Sequence, residues 1–189
     1  MPILTAETQC FPEGLLTGNA DPAVTDTAPE RRWWVAHTKA RQEKSLARDL
    51  LSHQIPFYLP QVEKTSIVRG RKRTAFVPLF TSYLFLYGDE LERYTSLTTN
   101  RIAQLLPVKN GSELTHELLQ ISRLIEFKAP LTLESRLKRG DRVRVVRGSL
   151  EGVEGTVVSR RRKCRLVVAV NLIQQGVSVE IDDYLLEKI

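Results

Sequence analysis

The chain has 189 residues, 42% of them hydrophobic, which is enough for one medium-sized domain or two small ones with an ordinary core. Lysine and arginine (28 residues) outnumber aspartate and glutamate (22 residues), and the formal net charge of +6 favours a polyanionic partner. Two cysteines, Cys10 and Cys164, are too few for a disulfide framework or a cysteine-based metal cluster, and no apolar run approaches the ~20 residues of a membrane span. These features exclude a disulfide-rich secreted scaffold and predict a cytoplasmic protein without a membrane partner.

Residues 1–31 are predicted to form a disordered N-terminal tail. Prolines at positions 2, 12, 22 and 29 interrupt this segment, and it contains no sustained apolar period. It therefore has too little apolar surface to bury. Residues 11–16 are apolar enough to dock onto a folded domain, but the sequence does not indicate where.

The sequence between residues 32 and 128 alternates strand-like and helix-like patterns, which is typical of an α+β domain. Runs rich in β-branched and aromatic residues predict extended segments at residues 32–38, 57–62, 67–77, 81–87 and 102–106. Apolar residues at helical spacing predict helices over residues 39–53 and 113–127. Between them we expect a helical turn at residues 90–94 and a polar loop at residues 95–100.

The sequence after residue 136 predicts only strands. Residues 140–158 begin with Gly-Asp, alternate valine with arginine, carry glycines at positions 148, 152 and 155, and end in Thr-Val-Val. The alternation predicts strands, and the glycines suit a tight turn or a close approach of two backbones. We therefore predict a linker over residues 129–136 and a small five-stranded β-barrel over residues 137–189.

Residues 140–158 resemble the KOW motif in their Gly-Asp start, basic-apolar alternation, glycine spacing and Thr-Val-Val exit. The order of a tryptophan strand, a basic helix, a Pro-Leu-Phe-x-x-Tyr-Leu-Phe strand, a second helix and this motif resembles the NusG family of transcription factors across residues 32–189. Residues 67–85 are most similar to the specialised RfaH-like and UpxY-like antiterminators. The resemblance implies an NGN-like α/β sandwich at residues 32–128, followed by a KOW β-barrel.

The resemblance also implies a function and partners. The N-terminal domain would bind the clamp helices of bacterial RNA polymerase, reach the opposite pincer across the DNA channel, and contact the non-template DNA strand. The KOW domain would recruit a small-subunit ribosomal protein, or Rho as in general NusG. A monomer without cofactors is expected. The alternative is a ribosome- or RNA-binding KOW protein that does not act on polymerase.

Two groups of residues match polymerase-binding positions of the family. The residues that match its clamp cavity are Trp34, Tyr83 and Phe85, and Phe80 and Leu105 are predicted to be their neighbours. The residues that match its pincer contact are Thr95, Thr98 and Thr99. An apolar groove lined by aromatic side chains suits a helical partner, because aromatic rings bury a large area. The alternatives are that the first group is ordinary core and that the second is an ordinary polar loop.

Two groups of cations in the N-terminal half are predicted to contact nucleic acid. The first group flanks the predicted helix and comprises Lys39, Arg41, Lys44 and Arg48. The second caps the predicted hairpin and comprises Arg69, Arg71, Lys72 and Arg73. Phosphate neutralisation by such groups gives salt-sensitive, sequence-tolerant binding. The alternatives are a solvated helix face and a charge cap that protects a strand edge from aggregation.

A third group of cations belongs to the predicted barrel. The candidates for contact with a ribosomal protein or RNA are Arg144, Arg147, Arg160, Arg161, Arg162 and Lys163. The last four lie in a predicted turn at residues 159–163, and charged turns are often merely solvated. The density of β-branched residues predicts a constitutive barrel that does not refold into helices. No histidine has metal-binding partners at suitable spacing, residues 148–155 lack the Lys-Ser/Thr of a phosphate loop, and no Ser/His/Asp arrangement or carboxylate pair is evident, so we expect no enzymatic activity.

Overall fold

The structure, a computed structural model, describes residues 7–17, 30–68, 70–128, 131–134, 140–160, 163–181 and 185–189. The chain forms two compact units, Met1–Gly111 and Ser112–Ile189. This division falls at the start of the last helix, whereas the sequence predicts a boundary in a linker over residues 129–136. The units are separated by their internal contacts, whereas the predicted boundary separates domains that fold independently. The predicted domain boundary therefore stays a prediction.

The first unit contains a five-stranded antiparallel sheet and a separate hairpin. Its strands are β1 (Cys10–Phe11), β2 (Arg32–Thr38), β3 (Phe57–Tyr58), β4 (Gln61–Val68), β5 (Arg71–Pro78), β6 (Tyr83–Gly88) and β7 (Ile102–Pro107). Its helices are α1 (Glu43–Ser52) and α2 (Glu90–Thr98). The sheet has the order β1-β3-β6-β2-β7, while β4 and β5 form a two-stranded sheet. The mixed α/β content predicted for this part of the chain is confirmed.

Helix α1 begins later than predicted, at Glu43 instead of residue 39. The amide of Lys39 donates to the carbonyl of Arg101 at 2.8 Å, so this residue continues the hydrogen bonding of the sheet. Arg41 then adopts a φ of 60°, which a right-handed helix does not allow. The chain can therefore turn into the helix only after this residue.

Helix α2 extends to Thr98, so the polar loop predicted over residues 95–100 is wrong for most of its length. A capping box starts the helix: the Asp89 carboxylate accepts from the Glu92 amide at 2.8 Å, and the Glu92 carboxylate accepts from the Asp89 amide at 2.9 Å. These bonds satisfy amides that would otherwise lack partners at the helix start. The Asp-x-x-Glu spacing is visible in the sequence, and the loop prediction overlooks it.

Part of the N-terminal segment predicted to be disordered belongs to the first sheet. Strand β1 pairs antiparallel with β3, with Cys10 opposite Tyr58 and Phe11 opposite Phe57. Leu16 is buried. The prediction fails because it rests on composition, whereas an exposed strand edge can order a short segment by pairing with it. Residues 1–6 and 18–29 of the predicted tail lie outside the described residues, whereas residues 30 and 31 are described and directly precede β2.

Helix α3 (Gly111–Glu126) starts at the boundary between the units, and six strands follow it. They are β8 (Thr132–Glu134), β9 (Asp141–Val145), β10 (Glu154–Arg160), β11 (Lys163–Val170), β12 (Gln175–Ile181) and β13 (Leu186–Lys188), with a short 3-10 helix at Asn171–Ile173. They form one antiparallel sheet in the order β13-β9-β10-β11-β12-β8. The predicted linker is wrong at β8, because this segment pairs with β12. Closure of the sheet into a barrel stays a prediction.

Candidate functional site

The register of the central strands divides the first sheet into two faces. Residues opposite each other in an antiparallel pair share a face, and neighbours along a strand point to opposite faces. Trp33 lies opposite Tyr87, and Val35 lies opposite Phe85. One face, which we call the aromatic face, therefore carries Trp33, His37, Tyr58, Tyr83, Phe85 and Tyr87. The other face, the α1 face, carries Trp34, Ala36, Phe57, Leu84 and Leu86.

Ring contacts connect the side chains of the aromatic face in pairs. The ring centroids of Trp33 and Tyr87 are 5.2 Å apart with an interplanar angle of 53°. Those of His37 and Tyr83 are also 5.2 Å apart, in an edge-to-face arrangement. Aromatic pairs prefer such tilted geometries because of the charge distribution of the rings. The four rings therefore hold one another in fixed orientations on this face.

The aromatic face is closed at its centre and open at its rim. Phe85 has no exposed surface, and neither has Phe80, whose ring meets Phe85 edge-on at a centroid distance of 6.3 Å. Tyr83 is only partly buried, and so is its neighbour His37. The sequence places Phe80, Tyr83 and Phe85 together in an open groove. In the structure the two phenylalanines are core residues, and Tyr83 lies at the accessible rim.

The motif match predicts that Trp34 lies beside Tyr83. In the structure Trp34 lies on the α1 face instead. It belongs to the buried cluster that α1 covers with Leu46, and its Nε1 donates to the carbonyl of Gly88 at 3.2 Å. Leu105 packs against the same cluster. The structure therefore puts Trp34 and Leu105 with the core under α1, and their predicted contact with the polymerase clamp stays a prediction. The preceding tryptophan, Trp33, occupies the aromatic face.

Helix α2 carries an exposed apolar stripe that the sequence reasoning missed. Leu91 is 73% exposed and Tyr94 is 64% exposed. These residues are three apart, so they lie on the same side of the helix, and Thr95 and Thr98 continue the stripe at helical spacing. Apolar side chains grouped at the surface often mark a protein-binding site. Their spacing becomes informative only once residues 95–98 are recognised as helical.

The three predicted threonines lie on or directly after α2, and their hydroxyl groups are engaged. Thr95 donates to the carbonyl of Leu91 at 2.9 Å, Thr98 to that of Thr95 at 2.7 Å, and Thr99 to that of Ser96 at 2.7 Å. Each hydroxyl oxygen can still accept a hydrogen bond. These threonines can therefore contribute acceptors and methyl groups to a partner.

A buried carboxylate fixes the loop that leads into β6. Glu43 is almost fully buried, and one of its carboxylate oxygens accepts from the backbone amide of Ser82 at 2.7 Å. Ser82 has a φ of 65°, a region that non-glycine residues seldom adopt. The carboxylate therefore holds a strained turn next to Phe80 and Tyr83. Sequence reasoning missed Glu43, because a charged residue in the first turn of a helix is normally exposed.

The cations at the start of α1 are the more accessible part of the first basic group. Lys39 is exposed and donates to the side-chain oxygen of Asn100 at 2.7 Å. Arg41 is exposed, and it makes no ion pair with any residue that the structure describes. Both side chains lie near the N-terminus of α1, where the helix dipole adds positive potential. This end of the helix is the best placed to meet a phosphate group.

The two cations farther along α1 already have partners. The Nζ of Lys44 donates to the carbonyl of Phe76 at 2.6 Å, which ties α1 to strand β5. The Nε of Arg48 lies 3.2 Å from a carboxylate oxygen of Glu7 in the N-terminal segment. Lys44 is therefore a structural tie, and Arg48 is paired within the chain.

The hairpin of β4 and β5 places its cations on both of its faces. The described cations of its tip are Arg71, Lys72 and Arg73, all exposed. Strand register puts Arg71 and Arg73 on one face together with Lys64, and Lys72 on the other face opposite Ile67. Lys64 is a cation that the sequence reasoning missed, although alternation along β4 could have found it. The fourth predicted cation, Arg69, lies outside the described residues.

The predicted cations of the second unit differ in availability. Arg144 donates to one carboxylate oxygen of Glu154 through Nε at 2.8 Å and Nη2 at 2.5 Å. These hydrogen bonds hold the pKa of Glu154 below its ordinary value, because they stabilise the ionised carboxylate. Arg147 is exposed. Of these two arginines, Arg147 is therefore the more available to a partner.

The basic turn predicted at residues 159–163 is shorter in the structure. Strands β10 and β11 remain paired as far as Arg160 and Lys163. Arg161 and Arg162 lie outside the described residues, as do the side chains of Arg160 and Lys163. The proposed role of these four cations stays a prediction.

A titratable carboxylate joins helix α3 to the C-terminal sheet within the second unit. Glu117 accepts from the backbone amide of Asn171 at 3.2 Å and from its side-chain Nδ2 at 2.6 Å. Partial burial raises the pKa of Glu117 from 4.5 to about 7, because the charged form loses hydration. The folded unit therefore binds more protons than the unfolded chain between about pH 4.5 and 7, and its stability falls as the pH rises through this window.

Replacing Glu117 with glutamine is expected to remove this pH dependence. The amide oxygen can still accept from Asn171, but the desolvated charge is absent. The variant should match the wild-type protein near pH 4.5 and exceed its free energy of unfolding by about 1–2 kcal/mol at pH 8, after allowance for solvent screening. Chemical denaturation at both pH values measures this. Glu126→Gln, at the exposed end of the same helix, is the control, and parallel profiles for Glu117→Gln and wild type would contradict the prediction.

Neither a metal site nor a membrane span is found in the part of the chain that the structure describes. No group of three or more described histidine, cysteine or acidic residues is arranged to hold a metal ion. Of the described helices, none combines the length and the apolar character needed to cross a membrane. Of the described histidines, His37 contacts Tyr83, and His116 contacts Gln120 and Glu154.

Comparisons with known proteins find a protein family and solved structures to which this chain is similar. The model of the family described as "Transcription termination factor nusG" matches residues 31–136. A structure of Thermotoga maritima NusG, solved to examine its domain interaction, is similar at 17% identity, covers 85% of this chain and 98% of that chain, and has a TM-score of 0.45. A structure of the MjSpt4:Spt5 complex is similar at 12% identity, covers 83% of this chain and 96% of that chain, and has a TM-score of 0.30. No curated protein matches.

The family match covers the aromatic face, helix α2 and the basic residues of α1 and the hairpin. It also extends over more than half of the chain. The chain therefore belongs to the NusG family of transcription factors.

Proposed function

We propose that this chain is an antitermination factor of the RfaH-like or UpxY-like branch, which binds bacterial RNA polymerase and suppresses pausing or termination. The observation that carries the proposal is the aromatic face. Its rim exposes part of Tyr83 and His37, while Phe80 and Phe85 are buried and support them. A rigid aromatic surface of this kind suits the apolar side of a helical partner such as the polymerase clamp helices.

Helix α2 supplies a second contact in this proposal. Leu91, Tyr94 and Thr95 lie on one exposed side of the helix. They would meet the opposite pincer of the polymerase, in the position that the sequence assigns to the threonines. Two separated contacts on one small unit would hold the clamp closed and increase processivity. The capping box makes α2 a firm platform for its contact, because it stabilises the first turn.

The basic residues would contact nucleic acid in the same complex. Lys39 and Arg41 would face the non-template strand, and the hairpin, with Lys64, Arg71 and Arg73 on one face, would reach neighbouring duplex or RNA. Phosphate contacts of this kind are sensitive to salt and tolerate different sequences. The C-terminal sheet would form the KOW barrel and recruit a small-subunit ribosomal protein or Rho, with Arg147 as an accessible contact.

A pull-down with RNA polymerase core enzyme tests the aromatic face. Tyr83→Ala removes the accessible ring and should weaken binding about 30-fold, as expected for a central aromatic contact. Tyr83→Phe keeps the ring and its contact with His37, so it should bind within about three-fold of wild type. Thermal unfolding of each variant establishes that the first unit is folded. Equal retention of Tyr83→Ala and wild type would contradict the assignment of this face to polymerase.

A further inference from the structure

The N-terminal segment, residues 7–17, is a structural element outside the residues that match the family model, 31–136. It places β1 beside β3 at the end of the first sheet. Without it, β3 would be the edge strand, and its outer backbone groups would be open to another chain. The segment therefore occupies a surface that would accept an extended peptide.

Hydrogen bonds continue along this edge beyond the two-residue strand. The amide of Leu59 donates to the carbonyl of Gln9 at 2.6 Å. The amide of Gln61 donates to the side-chain oxygen of Gln9 at 3.3 Å, and its Nε2 donates to the carbonyl of Glu7 at 3.3 Å. The chain at residues 7–11 thus runs beside residues 57–61 and accepts hydrogen bonds from the Leu59 amide and from the amide and side chain of Gln61.

Apolar and charged contacts anchor the two ends of the segment. Leu16 is buried, and Phe11 packs against the core beneath α1. At the other end, Glu7 pairs with Arg48 of α1 at 3.2 Å, and the two side chains are 25% and 63% exposed. Arg48 is one of the cations predicted from the sequence to contact nucleic acid. The N-terminal segment therefore neutralises a member of the basic group.

We propose that residues 7–17 are a detachable strap that covers the β3 edge and, through Glu7, withholds Arg48 from nucleic acid until a polyanion displaces Glu7. This inference rests on the nucleic-acid contact in the proposed function. An exposed ion pair contributes only about 0–1 kcal/mol, so a phosphate group competes readily for Arg48. The strap is held by a two-residue strand, a few further hydrogen bonds, Phe11 and Leu16, which makes its release less costly than opening the central sheet.

Binding of a fluorescent single-stranded oligonucleotide at several salt concentrations tests the charge competition. Glu7→Gln should tighten binding about 2–5-fold, because a phosphate group no longer has to displace Glu7 from Arg48. Glu13→Gln makes the same change in net charge within the strap. Glu13 is exposed and forms no ion pair among the described residues, so its substitution should not reproduce this gain in affinity.

A double-mutant comparison assigns the effect to Arg48. In the Arg48→Gln background, the further change Glu7→Gln should have no effect on affinity. The proposed competition between Glu7 and phosphate would be contradicted if Glu7→Gln still tightened oligonucleotide binding without Arg48. It would also be contradicted if the protein bound DNA in a salt-dependent way but Glu7→Gln did not tighten that binding.

Hydrogen–deuterium exchange tests the strap independently of DNA. Leu16→Asn should release the buried anchor and raise exchange at the Leu59 and Gln61 amides at least ten-fold, while amides that join β2 and β6 keep their wild-type protection. Unchanged exchange at residues 59 and 61 would overturn the strap itself. If no protein in the series binds DNA, the nucleic-acid contact of the proposed function and the withholding of Arg48 both fail, and the exchange result alone decides whether the segment is detachable.

Discussion

Replacing Trp34 with alanine is expected to lower the free energy of unfolding of the first unit by about 3–5 kcal/mol. Trp34 lies in the core between the sheet and α1, and its Nε1 donates to the buried carbonyl of Gly88. Arg32 and Arg93 lie 5.1 and 5.4 Å from the centroid of its ring and add cation–π contacts. The substitution therefore leaves a cavity, removes the indole hydrogen bond to Gly88 and leaves two arginines without their aromatic partner. Chemical denaturation followed by circular dichroism measures the loss.

Trp34→Phe provides the matched comparison. It keeps most of the ring volume but removes the indole N–H, so it should cost about 1–2 kcal/mol, mainly for the lost hydrogen bond to the Gly88 carbonyl. Because Trp34 faces away from the aromatic face, this variant should keep wild-type affinity for polymerase once folded. A selective loss of polymerase binding in a stable Trp34→Phe protein would instead support the groove position that the sequence predicts.

Replacing Gly155 with alanine is expected to destabilise the second unit by about 3 kcal/mol or more. A Cβ atom at this position would lie 2.5 Å from the carbonyl oxygen of Val167 and 2.9 Å from a methyl group of Leu166. The carbonyl belongs to β11, the partner of β10, so it cannot move away without disturbing the pairing of these central strands. Thermal unfolding and exchange of β10 and β11 amides measure the effect.

Gly148→Ala separates this backbone clash from ordinary glycine strain. Gly148 has a φ of 89°, and among the described residues no atom beyond its chain neighbours lies within 4 Å of the position that an added Cβ would take. Only conformational strain of about 1–2 kcal/mol is therefore expected. Similar losses at positions 148 and 155 would show that close approach of the backbones at Gly155 is not the dominant constraint.

Local pattern predicts a large part of this fold because it depends on neighbouring residues. Period-two alternation correctly puts Tyr83 and Phe85 on one face of β6, and helical spacing finds the core side of α1. The same patterns do not reveal that Phe85 is sealed while Tyr83 is accessible. Burial depends on Phe80 and on the turn that Glu43 holds, and these contacts come from separate parts of the chain.

The two tryptophans of β2 show the same limit for the candidate site. The strand is almost continuously apolar from Trp33 to Ala36, so alternation does not say which tryptophan shares a face with Tyr83. The pairing of β2 with β6 decides it, and a shift of one residue would exchange the two side chains. The motif match therefore selected Trp34, whereas the register puts Trp33 on the face that carries Tyr83.

The sequence by itself determined most of the strands and helices between residues 32 and 127, the basic character of the hairpin and the likeness to a family, because each depends on adjacent residues or on their spacing. Only the tertiary structure decided that the N-terminal segment docks on β3, that Arg48 is paired with Glu7, and that Trp33 replaces Trp34 on the aromatic face. These features depend on strand register and on contacts between segments distant in the chain, whose energies no local pattern contains.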